Sequence, residues 1–201
     1  MKKALLLLLF PLSVMAQDDL LNEIDTAATG KSKVESAFKG LKIVNLESTK
    51  LAAKGDLYFI VAHRFGSVKD GFEGFYGLDN AVTQLKFVYG LNDWFTISGA
   101  RSEIAYDFSG KFLLKSQETN GFPFAIAGFT SLTINNTLKE SLYPEMEFNN
   151  RLTYVAQLLV SKKFNNSLSL ELAPTYFHEN FVIDDNQDNS QYAIGMGGRY
   201  K

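Results

Sequence analysis

Arg151-Leu152-Thr153-Tyr154-Val155-Ala156-Gln157-Leu158-Leu159-Val160-Ser161 is the stretch that decides the fold. Every second residue from Leu152 to Val160 is apolar, and Thr153, Val155, Gln157 and Leu159 lie between them. Side chains alternate across a β-strand with period two, so such a segment has one greasy face and one mostly polar face. Similar segments of about ten residues recur along the chain, the length a tilted strand needs to cross a bilayer as part of a barrel.

The pattern is clearest over 105–115, where Tyr106, Phe108, Gly110, Phe112 and Leu114 alternate with Asp107, Ser109, Lys111, Leu113 and Lys115. Phe108, Phe112 and Leu114 are expected to face lipid, and Asp107 and Lys111 to face inward. Further strands are expected over 56–65, 83–91, 94–102, 122–133, 151–163, 168–176 and 192–200. A weaker one is expected over 40–47, where Leu41, Ile43, Val44 and Leu46 do not choose a face. The count is about nine. Pro174 lacks a ladder donor on the apolar side of its strand, so a bulge or strand end is expected there. Asn92-Asp93 reads as a tight two-residue turn.

A soluble, lipocalin-like barrel would bury the greasy face and wet the polar one. Three features favour the membrane version. Connections tend to alternate between short (Asn92-Asp93, 164–166) and long (66–80, 135–147, 178–190), as outer-membrane barrels do. The polar faces carry small residues, Gly90, Ser98, Ala100, Ala125, Ala127, Gly195 and Gly197, which suit a confined lumen. Aromatic residues gather near strand ends, at Phe65, Tyr89, Trp94, Phe122, Tyr176 and Tyr200, as interface girdles do.

The first sixteen residues read as a secretory signal peptide. Lys2 and Lys3 precede an apolar run from Ala4 to Val14, and Val14-Met15-Ala16 is a cleavage motif with Gln17 as the mature end. Residues 17–38 read as a periplasmic lead-in rather than a plug, with Leu20, Leu21 and Ile24 at the spacing of a short helix behind Asp18 and Asp19. Residues 39–201 form the barrel domain.

Composition narrows the function classes. There is no cysteine, so disulfides, thiolate metal sites and cysteine nucleophiles are excluded. Without Lys2 and Lys3 the 20 basic residues become 18 against 22 acidic, a formal charge of −4. That balance gives no general attraction for nucleic acid. Seventeen Phe and nine Tyr against four Pro lean toward β-structure. His63 and His178 are the only histidines, and each reads as a packing or loop residue. The acidic loop near Asp184, Asp185 and Asp188 offers oxygen ligands but no glycine at an EF-hand-like position. No enzyme activity, metal or cofactor is expected.

The set His63-Arg64-Phe65-Gly66, Phe75-Tyr76-Gly77-Leu78-Asp79-Asn80-Ala81, Tyr89-Gly90-Leu91-Asn92-Asp93-Trp94 and Arg101-Ser102 resembles an uncharacterised family of bacterial outer-membrane β-barrels, over about 38–201. Ala100 stands where that family has glycine. The resemblance implies a barrel and an outer-membrane location, with no activity attached. Family members run longer, with further strands. The odd count and the absence of an aromatic terminal residue are expected from a chain truncated after Lys201. An all-β, antiparallel, up-and-down transmembrane-type barrel is expected, incomplete here and open between its first and last strands.

Lys86, Asp107, Lys111, Arg151, Glu171 and Arg199 are the candidate lumen-lining residues. In an open lumen they would bias passage toward anions; paired across strands they would plug it. Two function classes therefore stand beside the soluble alternative. One is passive transport or a pore for small solutes. The other is a structural or partner-binding barrel, with Phe72, Phe75 and Tyr76 in an external loop as contacts. Outer-membrane lipid is the one partner implied in either case.

Overall fold

A computed structural model of the chain describes residues 30–201, apart from 139, 140, 142, 183 and 185. The expected signal at 1–16 and the expected short helix near Leu20 lie outside the described residues.

Among the described residues, ten antiparallel strands form two sheets. Strands β1 (Lys42–Ile43) and β2 (Leu46–Glu47) make a small hairpin. The other eight form one meander: β3 (Leu57–Arg64), β4 (Val82–Asn92), β5 (Phe95–Ser102), β6 (Ala105–Lys115), β7 (Ala125–Asn135), β8 (Leu152–Lys163), β9 (Leu168–Glu179) and β10 (Ser190–Tyr200). Each pairs with its neighbour in sequence, and no ladder joins β3 to β10. The sheet is therefore an open, incomplete barrel, as expected, although its wall has eight strands and not the odd number from which openness was argued.

The count differs from the expected nine. The stretch 40–47 is not a wall strand but the β1–β2 hairpin, which turns at Val44 with φ 55°. Its register joins Lys42 to Glu47 and Ile43 to Leu46. The two-residue turn between β4 and β5 is Asp93-Trp94, one position later than expected, with the Trp94 amide donating to Asn92 Oδ1 at 3.1 Å. Pro174 causes neither a bulge nor a strand end. The β8–β9 pairing lapses at Leu158 and Leu159, opposite Pro174 and Ala173, then resumes in the same register. A missing N–H removes a ladder bond without moving the strand.

Faces follow the alternation. Phe59, Phe87, Phe108, Leu158, Leu172 and Met196 are exposed on one side, whereas Lys111, Ala127, Leu159, Ser161, Ala173 and Glu171 are buried on the other. Lys111 is 5 % exposed while Phe108, three positions away on β6, is 52 % exposed. Connections at one end are long at 65–81, 136–151 and 180–189, with Glu103-Ile104 a tight exception. At the opposite end lie Asp93-Trp94, 116–124 and 164–167. Residues 32–35 reach this short-turn end, where Lys33 bridges to Glu118 and the Val34 amide donates to Gln117 O at 2.8 Å.

The buried face is concave. Leu46 lies against Gly195 of β10, while Glu47, the next residue, reaches Lys86 of β4. Six strand spacings in a flat sheet would separate β4 from β10 by about 29 Å. Two consecutive residues cannot bridge that, so the wall must curl around them.

Candidate functional site

The concave face is occupied by the chain's own segment 37–55. It enters from the short-turn end and returns there, where the Gly55 amide donates to Gly90 O at 2.8 Å and the Gly90 amide donates to Asp56 O at 3.0 Å. Ala37, Phe38, Ser48, Thr49 and Ala52 are all buried.

Small wall residues make the fit possible. A side chain on Gly90 would run into the Ala53 carbonyl. A Cβ on Gly195 would stand 2.7 Å from Leu46 Cδ1, and one on Gly197 3.1 Å from Ile43 Cδ1. The apolar side of the hairpin therefore lies on a glycine-lined part of β10. Ala127, Leu159 and Ala173 form the apolar core beside it, with Leu46 and Phe129 against them.

The polar side of the insert carries the charge. Glu47 lies 2.8 Å from Lys111 Nζ, 3.2 Å from Lys42 Nζ and 3.7 Å from Lys86 Nζ. Lys111 also donates to Leu41 O at 2.9 Å and to Lys50 O at 3.3 Å. The Thr49 amide donates to Glu171 Oε2 at 2.9 Å, and the Thr49 and Ser161 hydroxyls share a hydrogen bond. The Ala52 amide donates to Thr96 Oγ1 at 3.1 Å. Wall groups on β4, β5, β6, β8 and β9 thus hold one short segment. An ion pair taken out of water is tolerable only when its remaining valences are met, and Lys111 has them met by backbone carbonyls.

The six expected lumen residues separate into groups. Lys86, Lys111 and Glu171 meet the insert. Asp107 lies nearer the long-loop end, accepting from Gln84 Nε2 at 2.7 Å and from the Thr133 hydroxyl. Arg151 sits beyond the wall in a 3₁₀ turn and donates to Asn135 O at 2.8 Å. Arg199 is at the short-turn rim, donating to Asn166 O at 3.3 Å. Beside Glu47, Lys86 and Lys111 a cavity of about 30 Å³ remains, space on the order of one water molecule.

Sequence reading missed Glu47, Thr49 and Ala52 and assigned the segment around them to the wall or a lead-in. The available signal was the excess of glycine and alanine on the inward faces, which marked room for something.

Phe72, Phe75 and Tyr76 are exposed at the long-loop end. Phe75 and Tyr76 have φ of 43° and 54°, uncommon for aromatic residues. The Tyr76 amide donates to Gly71 O at 2.7 Å, and Gly66 closes the loop by donating to Gly77 O at 2.8 Å. Phe72 and Tyr76 meet edge to face at 6.2 Å.

A two-faced antiparallel wall with an exposed apolar side now has an independent counterpart. Residues 38–201 match the model of an uncharacterised family described as a membrane bound beta barrel domain. The chain belongs to this family. In a membrane-bound barrel domain the exposed Phe, Leu and Ile side chains of β3–β10 have a solvent, the lipid, and the apolar face needs no further layer of protein. No significant match is found among curated proteins or solved structures.

Proposed function

We propose that this membrane-bound barrel domain is an outer-membrane barrel with a plugged lumen, structural or partner-binding in role, that does not conduct solutes. The supporting observation is the insertion of Glu47 between Lys42, Lys86 and Lys111. The charge that would have selected ions in a pore is used to hold a segment of the same chain. Export would use the apolar run from Ala4 to Val14, with cleavage after Ala16. No catalytic chemistry or cofactor is part of this reading. The external contacts would be the aromatic residues of loop 65–81.

Planar-bilayer recording tests the reading. The wild-type protein should give no steady conductance, and deletion of residues 40–52 should open a channel. Steady wild-type conductance would restore passive transport of small solutes as the function. Fractionation of expressing cells should recover the protein in the outer membrane with Gln17 at its N-terminus. Recovery as a soluble periplasmic protein would remove the lipid-embedded reading and favour a lipocalin-like barrel.

A further inference from the structure

We propose that the lipid-facing side of β6–β10 holds one phospholipid, with an acyl chain in a groove over Gly128, Ala156 and Pro174 and the phosphate at Lys162; this rests on the membrane-embedded reading above. The groove lies on the face opposite the insert and has a volume of about 760 Å³, within the range of small-molecule sites. Its floor is low because Gly128 and Ala156 carry little side chain and Pro174 is compact. Phe112 stands on one side, lying so close over Gly128 that any Cβ there would strike its ring. Tyr176 and Tyr192 stand on the other, with ring centroids 5.3 Å apart.

Lys162 supplies the second half of the recognition. It shares the outward face of β8 with Leu158, four residues along, or about 13 Å at strand rise. That is a fitting separation between a headgroup and the acyl chain below it, since half the hydrocarbon thickness is about 15 Å. Its ammonium lies 5.5 Å from the ring centroid of Phe124 and 5.0 Å from that of Phe164. Two aromatic rings fix its position by cation–π attraction and leave its donors free. Among the described residues it has no carboxylate partner, whereas Lys115 is paired with Glu118 at 3.2 Å. A cation fixed on the same outward face as the groove residue Leu158, about 13 Å along the strand from it and without a carboxylate partner among the described residues, fits a phosphodiester whose acyl tail lies in the groove.

Native mass spectrometry of the full chain in detergent micelles, with phosphatidylglycerol added, tests this. The wild type should retain one lipid. Lys162→Ala should weaken retention about fivefold, the worth of one basic group near anionic headgroups. Ala156→Phe, which fills the groove, should abolish it. Leu85→Ala, on the same face but at β4, should retain lipid as the wild type does. Retention by Lys162→Ala equal to the wild type, or a folded wild type that retains no lipid, overturns the proposal while leaving the membrane reading intact. A wild type that acquires no β-structure in micelles, judged by circular dichroism, overturns both.

Discussion

Lys111 Nζ, on the middle of a wall strand, lies 2.8 Å from Glu47 Oε2, on the hairpin that fills the concavity. Both residues are buried, so neither can recover its solvation by rotating into bulk water. The pair joins the wall to the insert. Lys111→Met removes one partner and leaves Glu47 with the weaker reach of Lys42 and Lys86. Removing one member of a buried pair costs about 3–5 kcal/mol. Unfolding of the variant in urea, in detergent or vesicles, should show a loss of that order; an unchanged midpoint would mean that the pair does not anchor the insert.

Gly90 gives a steric counterpart. Gly90→Val would drive a side chain into the Ala53 carbonyl and should push the insert out of the concavity. Trypsin cleavage at Lys50 or Lys54 should then be faster than in the wild type. Gly99→Ala is the control, because a Cβ there would meet only Phe108, at 3.9 Å, and cleavage should stay slow.

The lipid face can be tested at Phe108. Phe108→Arg places a charge at mid-strand on the exposed apolar side and should cost about 2–4 kcal/mol in a bilayer folding assay. Lys115→Gln, at the strand end, breaks only an exposed pair with Glu118 and should cost less than about 1 kcal/mol. Equal costs would place β6 away from the bilayer interior.

At the short-turn end, the Phe122 amide 3.2 Å from Glu118 and the Lys115 ammonium hold the Glu118 carboxyl below its ordinary value. A depressed carboxylate stabilises the folded state above its unfolded pKa, and that contribution disappears as pH falls through the lowered folded value. The protection of the Phe122 amide, its exchange relative to an unstructured amide at the same pH, should therefore be high at neutral pH and fall only below the usual glutamate range. Glu118→Gln should remove this pH dependence; if it persists, another group holds the turn.

Much of the wall could be read from residues alone. The segment 105–115 corresponds to β6 residue for residue, and Phe108 and Lys111 take the expected faces. The hairpin was less legible for a physical reason. Ile43 and Leu46 touch Gly197 and Gly195, while Glu47 meets lysines of the wall. The hairpin's strands are two residues each and its turn at Val44 is exposed, so the segment is too short for an alternation to show. Pro174 misled in the opposite direction, since one absent donor interrupts a ladder without ending a strand.

The sequence by itself determined that the chain forms two-faced strands, because alternation is a local property of the extended backbone and needs no knowledge of neighbours. It also marked which residues of β6 point inward, though it misplaced Arg151, which lies beyond the wall. Only the tertiary structure decided what those residues meet. Glu47 finds Lys111, and Thr49 finds Glu171, because the curl of the sheet brings distant strands around one short segment. Curvature depends on the twist and register summed over all the strands, and no single stretch of sequence carries that sum.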